Sequence, residues 1–426
     1  MLIEENKPLA PFTTFGIGGP ARWFAEAASE DDIVEAAAWV RDRGLALFVL
    51  GGGSNLLVSD AGFDGMVLRV GLRGIAASQA AEKRSFVSGH DFSRAVNTAK
   101  STWALAPEGC FSGNLPAVPA SSAASSTAPE QAGQTIYQVG AGEDWDGFVE
   151  RAVKDNCAGV ECLAGIPGTV GGTPVQNVGA YGQEVAAAIE QVRAFDLKER
   201  AFVEFSVAEC GFSYRRSRFN SADRGRYIVT RVDYRLALGG APTLRYAELQ
   251  RAILERQAEG LGGREPSLAE VAAVVRRVRR SKGMLLVEGD PDCRSAGSFF
   301  KNPVVAEEQV RRIAECSAKE PPRFPAGPDA ENLGRVKVPA AWLIEQAGFA
   351  KGYALGAAGI SSRHTLALVN LGGATAQEIL ALAIQIAGAV EARFGIHLEM
   401  EPVLVGFVLS QVSESRPGAP TPVREP

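Results

Sequence analysis

The sequence is poor in the side chains that most often hold metals. Among 426 residues there are 3 His, and the 6 Cys, at positions 110, 157, 162, 210, 293 and 316, form no CxxC pair. No metal site is expected from so few ligands without ligand spacing. A secretion signal is missing too, since MLIEENKPLAPF carries Glu4 and Glu5 and no apolar core. The cysteines therefore read as reduced thiols of a cytoplasmic protein. The longest apolar run, Ile379 to Val390, contains Gln385 and falls short of the ~20 residues a membrane span needs. Excess basic charge is also absent. Lys and Arg number 44 against 49 Asp and Glu, a net charge of −5, which argues against nucleic acid as a general partner. No Walker A, HExxH or GxSxG motif occurs, which excludes the direct readings as P-loop NTPase, zincin or α/β-hydrolase.

What the chain has in quantity is glycine, 47 residues with no collagen-like period. That points to tight turns or to backbone brought close to a ligand. The length suggests two to four domains, and 46% hydrophobic with 22% charged residues is ordinary for a globular protein. Ser29 with Asp32 spells a capping box ahead of a helix whose face carries Ile33, Ala36, Ala37 and Val40, with Gly44 as its stop. A buried strand, LALFVL, then runs into the triple glycine at Gly51. PAVPASSAASSTAPEQAGQ is a Pro/Ala/Ser tract too poor in apolar residues to fold. An insertion is therefore expected at about 78–135, flexible over Leu115–Gln134. A helix follows over Trp145–Asn156, then strands at VRAFDL, FVEFSV and YIVTRVDYRLAL. Ser267 and Glu270 cap a second helix with Leu268, Val271, Val274, Val275 and Val278 on its face. Helices near 306–316, 339–347 and 375–394 and strands near 297–301 and 365–370 complete an α+β chain of at least two domains.

Two glycine-rich stretches carry chemistry. Gly51-Gly52-Gly53-Ser54-Asn55 follows a strand directly, so its N–H groups are placed to form an anion-binding nest; a tight strand-to-loop turn is the plainer alternative. The eighteen residues from Gly165 to Gly182 hold six glycines interleaved with Ile166, Val170, Val175, Val178 and Tyr181, which no simple linker would carry. Gln176 and Asn177 add amides able to donate and accept, as a flavin or nucleotide edge requires. A Gly-rich turn pair in a β-domain is the competing reading.

Seven segments in order then carry a family resemblance: TFGIGGPA (14–21), LGGGSNLLVSD (50–60), GAGEDW (140–145), AGIPGTVGGTPVQNVGAYGQE (164–184), YRRSRF (214–219), SAGSFFKNP (295–303) and LEMEPVLVG (398–406). Together they resemble the UDP-N-acetylenolpyruvoylglucosamine reductase (MurB) family, of the type with a mobile tyrosine loop, over about residues 7–76 and 137–406. The resemblance implies a two-lobed FAD-binding domain of the vanillyl-alcohol-oxidase/MurB type plus a C-terminal α/β substrate-binding domain. The expected division is 1–70 and 71–262 for the lobes, 263–396 for the substrate domain, 397–410 for a return strand and 411–426 for a disordered tail.

The resemblance further implies FAD as cofactor, NADPH as reductant and UDP-N-acetylglucosamine enolpyruvate as substrate, reduced to UDP-N-acetylmuramate for peptidoglycan, by a monomer that neither enters membranes nor binds nucleic acid. Flavin contacts are implied for Gly51, Gly52, Gly53, Ser54, Asn55, Leu56, Gly165, Ile166, Gly168, Gly172, Gln176, Asn177, Gly179, Ala180 and Tyr181. Hydride passes from flavin N5 to the enolpyruvyl group, Ser298 gives the proton, and Arg215 and Glu401 stabilise the enolate. Glu401 helps only if protonated or hydrogen-bonded to substrate, so it is expected to hold its proton above the ordinary carboxylate range. Tyr246, Lys282 and Asn302 are implied as substrate contacts. Arg276, Arg277, Arg279 and Arg280 are left as solvated charge at a helix end. Two departures stand out: the insertion, and Pro402-Val403 after Glu401, where the family often has an arginine.

Overall fold

The computed structural model describes residues 1–79, 133–256, 264–326 and 333–407. His90, Cys110, most of the insertion and the tail expected from 411 lie outside the described residues.

The first lobe is a four-stranded sheet in the order Ile3–Pro8, Pro20–Ala27, Phe63–Val70, Ala46–Leu50. Its first pair is antiparallel and the other two are parallel. Parallel neighbours need a crossover, and the helix Glu30–Asp42 lies between the second strand and the fourth. It is capped as expected: the Asp32 N–H donates to the Ser29 hydroxyl at 3.2 Å, and the Ser29 N–H donates to the Asp32 carboxylate at 2.9 Å. Ile33, Ala36 and Val40 share one core with Met66 and Leu68.

The second lobe is an antiparallel sheet in the order Ala201–Ser206, Ile189–Asp196, Tyr227–Leu238, Gln134–Gly140, Ile75–Gln79. The insertion departs and returns on its last two strands, where Gln79 stands opposite Thr135. The sheet itself already holds the ends of the insertion together. Extra length between them costs only slowly growing closure entropy.

The helix Leu268–Ser281 was expected to open the substrate domain at 263. Its Val271, Val274, Val275 and Val278 instead lie in the core shared by the two FAD lobes. An apolar stripe must find an apolar partner, and the turn Glu161–Leu163 and the helix Trp145–Lys154 lie against it. The separate C-terminal core includes Ala296, Phe299 and Phe300 and the helices Glu307–Ser317, Ala340–Gln346 and Ala376–Phe394. A further helix, Ala247–Arg256, escapes the periodicity because it buries only Leu249 and Ile253.

First-lobe residues tie the C-terminal unit down. Phe15, Ile17 and Leu57 sit in its core. The N–H groups of Ala376 and Gln377 donate to the Asp60 carboxylate at 2.8 and 3.0 Å, capping the longest helix from outside. The chain then returns, and Val403–Val405 pairs in parallel with Leu56–Val58. This pairing delivers Glu401 beside the triple-glycine loop. No described helix is long and apolar enough to cross a membrane.

One ion pair makes the fold acid-sensitive. Asp196 accepts from Arg226 Nη2 at 2.6 Å and from the Lys198 N–H at 2.9 Å. The Arg226 hydrogen bonds hold its pKa down to about 2, against ~3.9 for an ordinary Asp. A depressed carboxyl gives stability that is complete above the ordinary range and is lost as pH falls toward the folded value. Asp196→Asn should therefore cost about 1–2 kcal/mol at pH 7, after solvent screening of Arg226. The gap to the native chain should close as pH falls from ~4 toward ~2. Urea midpoints across that range check this, and a gap independent of pH contradicts it.

Candidate active site

The two glycine-rich loops lie back to back. A Cβ at Gly52 would stand 2.4 Å from the Gly168 Cα, and one at Gly53, where φ is +66°, would stand 1.7 Å from the Phe12 carbonyl oxygen. Glycine is needed here because two backbones meet. The Ser54 hydroxyl fastens the contact by donating to the Pro167 carbonyl at 2.9 Å. Among the described residues, the N–H groups of Gly52, Gly53, Ser54 and Gly168 donate to no acceptor of the chain, so they form a nest for an anion. A Cβ at Gly172, by contrast, would meet nothing within 4 Å. A cradle of N–H donors beside open space fits a diphosphate-bearing cofactor such as FAD.

That contrast predicts different results at two glycines. Gly52→Ala overpacks backbone against backbone and should cost about 1–3 kcal/mol of stability along with flavin retention. Gly172→Ala should leave the stability of the flavin-free protein unchanged and weaken only FAD binding. Melting curves with and without FAD, together with the 450 nm to 280 nm absorbance ratio, separate the two. Equal loss of apoprotein stability in both variants would contradict the assignment.

Asn55 knots three motifs together. Its Nδ2 donates to Gln176 Oε1 at 2.7 Å and to the Glu401 carbonyl at 3.3 Å, and the Val403 N–H donates to the Asn55 carbonyl at 3.0 Å. Leu56 opens the strand that follows. Asn177 spends its side-chain amide inside the protein. Its Nδ2 donates to Glu184 Oε2 at 2.9 Å and to the Ser213 carbonyl at 3.1 Å, while Oδ1 accepts the Ala186 N–H at 3.2 Å. The buried amide has both hydrogens committed inside the protein, so it holds the loop, at φ +45°, and has no N–H left to donate to a flavin edge. Gly165 is tied in the same way, its N–H donating to Asp146 Oδ1 at 2.6 Å and its carbonyl accepting from Arg279 Nε at 3.0 Å. Ile166 packs against the FAD-lobe core, and Gly179–Ala180 ladders with Gln183–Glu184.

Ser298 ends the strand Ser295–Ser298, which pairs with Ala367–Asn370. The chain after it runs beside the return segment: the Glu401 N–H donates to the Phe299 carbonyl, and the Lys301 N–H to the Glu399 carbonyl, each at 2.9 Å. Ser298 and Glu401 thus lie on adjacent chains. Arg215 Nε stands 3.0 Å from Glu401 Oε1, with the two side chains 23% and 11% exposed. Arg215 has φ +55°, a left-handed conformation that costs a non-glycine residue about 1–3 kcal/mol and collects at functional sites. The Asn220 side chain, donating to the Arg215 carbonyl at 3.1 Å, helps hold it.

A second cluster lies nearby. The rings of Tyr181 and Tyr246 meet edge-on at 5.4 Å, and Lys282 Nζ lies 5.9 Å from the Tyr181 ring while donating to Glu248 at 2.7 Å. Burial pushes the Tyr181 pKa up to about 12. Tyr181, grouped by sequence with the flavin contacts, therefore touches the two residues expected on the substrate's diphosphate. Asn302 Oδ1 accepts the Ala340 N–H at 2.9 Å, at the start of Ala340–Gln346.

Two cations escaped the sequence reading. Lys337 Nζ stands 4.5 Å from the ring centre of Tyr214, the neighbour of Arg215; nothing in its local sequence signals this. Arg279 is buried, with 8% exposure, where solvated charge was expected. A signal existed, since Val271, Val275 and Arg279 fall four apart on one helical stripe.

A nucleotide-cofactor cradle joined to a second unit through Glu401 defines an FAD-dependent oxidoreductase. Residues 21–135 and 130–199 match the FAD binding domain, and 290–405 match the C-terminal domain of UDP-N-acetylenolpyruvoylglucosamine reductase. The chain is 41% identical to UDP-N-acetylenolpyruvoylglucosamine reductase of Streptomyces coelicolor, over 95% of this chain and 91% of that one. It is also 41% identical to the same enzyme of Thermobifida fusca, over 96% and 99%. The crystal structure of the reductase MurB from Thermus caldophilus aligns with a TM-score of 0.54 at 26% identity, over 95% of this chain and 99% of that one. The chain belongs to the UDP-N-acetylenolpyruvoylglucosamine reductase family.

Proposed function

We propose that the chain reduces UDP-N-acetylglucosamine enolpyruvate to UDP-N-acetylmuramate with NADPH, acting as a cytoplasmic monomer, and that Ser298, Arg215 and Glu401 carry the chemistry. FAD, when bound, supplies the two-electron relay between NADPH and the enolpyruvyl double bond. The residues that would hold it are the donors of Gly52, Gly53, Ser54 and Gly168, the open side of Gly172, and Gln176, which Asn55 orients.

The observation that carries the reading is the meeting of Arg215, Glu401 and the Asn55–Gln176 pair on turns and loops beside the segment that follows Ser298. Adding hydride to the enolpyruvyl carbon leaves negative charge that spreads onto the carboxylate. Arg215 has the bidentate fork to bind that carboxylate, and its fixed charge favours the transition state without reorganising. Glu401 orients the guanidinium as its positioning partner. Ser298 delivers the proton to the carbon bearing the carboxylate. Serine is a weak acid, so its contribution rests on position and on the charge it quenches. Tyr246 and Lys282 close on the diphosphate, and Asn302 is a further substrate contact.

The test is product chemistry. With NADPH and the enolpyruvyl substrate, the purified protein should form a product heavier by two hydrogens, with one NADPH consumed per product. NADPH oxidation without that product would favour a different acceptor.

A further inference from the structure

We propose that Glu161 is a positioning residue for substrate binding: with Cys162 beside it, its buried carboxyl pins the Thr243 peptide and so sets where Tyr246, three residues on, meets the substrate's diphosphate. The inference rests on the substrate role proposed above for Tyr246 and adds the residues through which that role is held.

The backbone shows why a pin is needed. Between the strand Tyr227–Leu238 and the helix Ala247–Arg256 the chain has neither ladder nor helix to satisfy its peptide groups. It leaves the sheet through a packed turn, where the Gly239 N–H donates to the Asn156 carbonyl at 2.8 Å and a Cβ at Gly240 would stand 3.0 Å from the Ala158 Cβ. Thr243 is then gripped by two adjacent side chains. Its N–H donates to Glu161 Oε1 at 2.7 Å, and its carbonyl accepts from Cys162 Sγ at 3.1 Å. Burial raises the pKa of the Cys162 thiol, so the thiol keeps the hydrogen it donates. Glu161 is itself fully buried, and both of its oxygens are in use. Oε1 also accepts from Gln183 Nε2 at 3.2 Å, and Oε2 accepts the Gly159 N–H at 2.8 Å. Gln183 Oε1 accepts the Cys162 N–H at 2.9 Å, and its Nε2 reaches the Thr243 hydroxyl at 3.4 Å. A buried network with every member satisfied fixes one arrangement, and a half-satisfied one does not.

The same carboxyl registers two segments against each other. Gln183 lies two residues beyond Tyr181, and the two chains pass closely at Gly182. A Cβ there, where φ is +79°, would stand 3.2 Å from the Arg245 Cβ and 3.6 Å from the Tyr246 nitrogen. The Tyr181 and Tyr246 rings meet edge-on just beyond that crossing. Releasing Thr243 frees Tyr246 to take other placements. A ligand that needs one placement then binds more weakly, in proportion to the fraction of molecules that hold it.

Glu161→Gln keeps the side chain's shape but puts an NH₂ group where one oxygen accepted. It is compared with Tyr246→Phe, the double variant and the native enzyme, all loaded with FAD. The dissociation constant of UDP-N-acetylglucosamine enolpyruvate is measured by flavin absorbance perturbation, and the limiting reoxidation rate by stopped flow. Glu161→Gln should weaken substrate binding about fivefold or more, as when the competent placement falls to about a fifth of molecules. The limiting rate should stay within about twofold of native, because the diphosphate is remote from the reacting carbon. In the Tyr246→Phe background the same substitution should change affinity less than about twofold, since the contact it positions is already gone. Unchanged affinity in Glu161→Gln, or a loss that recurs in full in the Tyr246→Phe background, overturns the proposal, whatever happens to the melting temperature. Should Glu161→Gln fail to hold FAD, Cys162→Ala decides alone, because it frees the Thr243 carbonyl and leaves the carboxyl in place. Weakened substrate binding that vanishes in the Tyr246→Phe background supports the pin; native affinity, or a loss that recurs in full, overturns it. A native enzyme that binds no enolpyruvyl substrate would defeat the functional reading itself, before any variant is compared.

Discussion

Ser298→Ala is expected to slow reoxidation of the NADPH-reduced enzyme by the enolpyruvyl substrate about 10²–10⁴-fold, the range a positioned general acid contributes. Reduction by NADPH should proceed at the native rate, because Ser298 has no part in it. The strand Ser295–Ser298 and its continuation are held by Ala367–Asn370 on one side and by the Glu399–Glu401 segment on the other. Removing one hydroxyl from this scaffold leaves its hydrogen-bond ladder intact. Stopped-flow absorbance at 450 nm resolves the two half-reactions. Equal slowing of both would point to a displaced cofactor, and normal reoxidation would remove Ser298 from the role of donor.

The second large effect is expected at the Arg215–Glu401 pair. Arg215→Met should lower the reoxidation rate about 10²–10³-fold, the loss typical of removing one preorganised electrostatic contact. Arg215→Lys should recover little, because an ammonium lacks the planar fork. Glu401→Gln should cost less than Arg215→Met, since a carboxamide oxygen can occupy the same place beside the guanidinium. If Glu401 works through Arg215, the double variant should be no slower than Arg215→Met alone, because groups that act as a unit are not additive. Multiplying losses would show that Glu401 acts on the substrate independently. The left-handed conformation of Arg215 sharpens the comparison: substitutions that relieve backbone strain there should raise the melting temperature while lowering activity.

The sequence made most of this site legible through short, ordered segments. Backbone roles were the easiest to read, because only glycine serves where Gly52 meets Gly168 or where Gly53 meets Phe12. Capping boxes at Ser29 and Ser267 placed two helices to within a residue. What stayed hidden was what depends on partners distant in the chain. The helix Leu268–Ser281 has the same amphipathic stripe whichever core it enters, so the stripe could not say that it serves the FAD lobes. The amide of Asn177 looked available until Glu184, Ser213 and Ala186 were seen to take its bonds. That Arg215 stands 3.0 Å from Glu401 was hidden in the same way, because the two lie far apart in the chain. Arg279 was misread because charge was taken as exposure, although its spacing from Val271 and Val275 placed it on the buried stripe.

The departures in sequence are also easier to place. The insertion leaves and re-enters on the paired neighbouring strands Ile75–Gln79 and Gln134–Gly140. In the segment after Glu401, where the family often has an arginine, Val403 begins the strand paired with Leu56–Val58. Cations near these motifs include Arg215, Lys337 and, at one helix end, Arg279 and Lys282.

The central claim is that one protein carries electrons from NADPH to an enolpyruvyl ether through a bound flavin. It is tested most directly by an anaerobic titration of the purified protein. The protein should be yellow, bleach at 450 nm with one equivalent of NADPH, and regain its colour with one equivalent of UDP-N-acetylglucosamine enolpyruvate. A folded, FAD-supplemented sample that stays colourless after gel filtration would contradict the account. So would a reduced sample that oxygen reoxidises and the enolpyruvyl substrate does not.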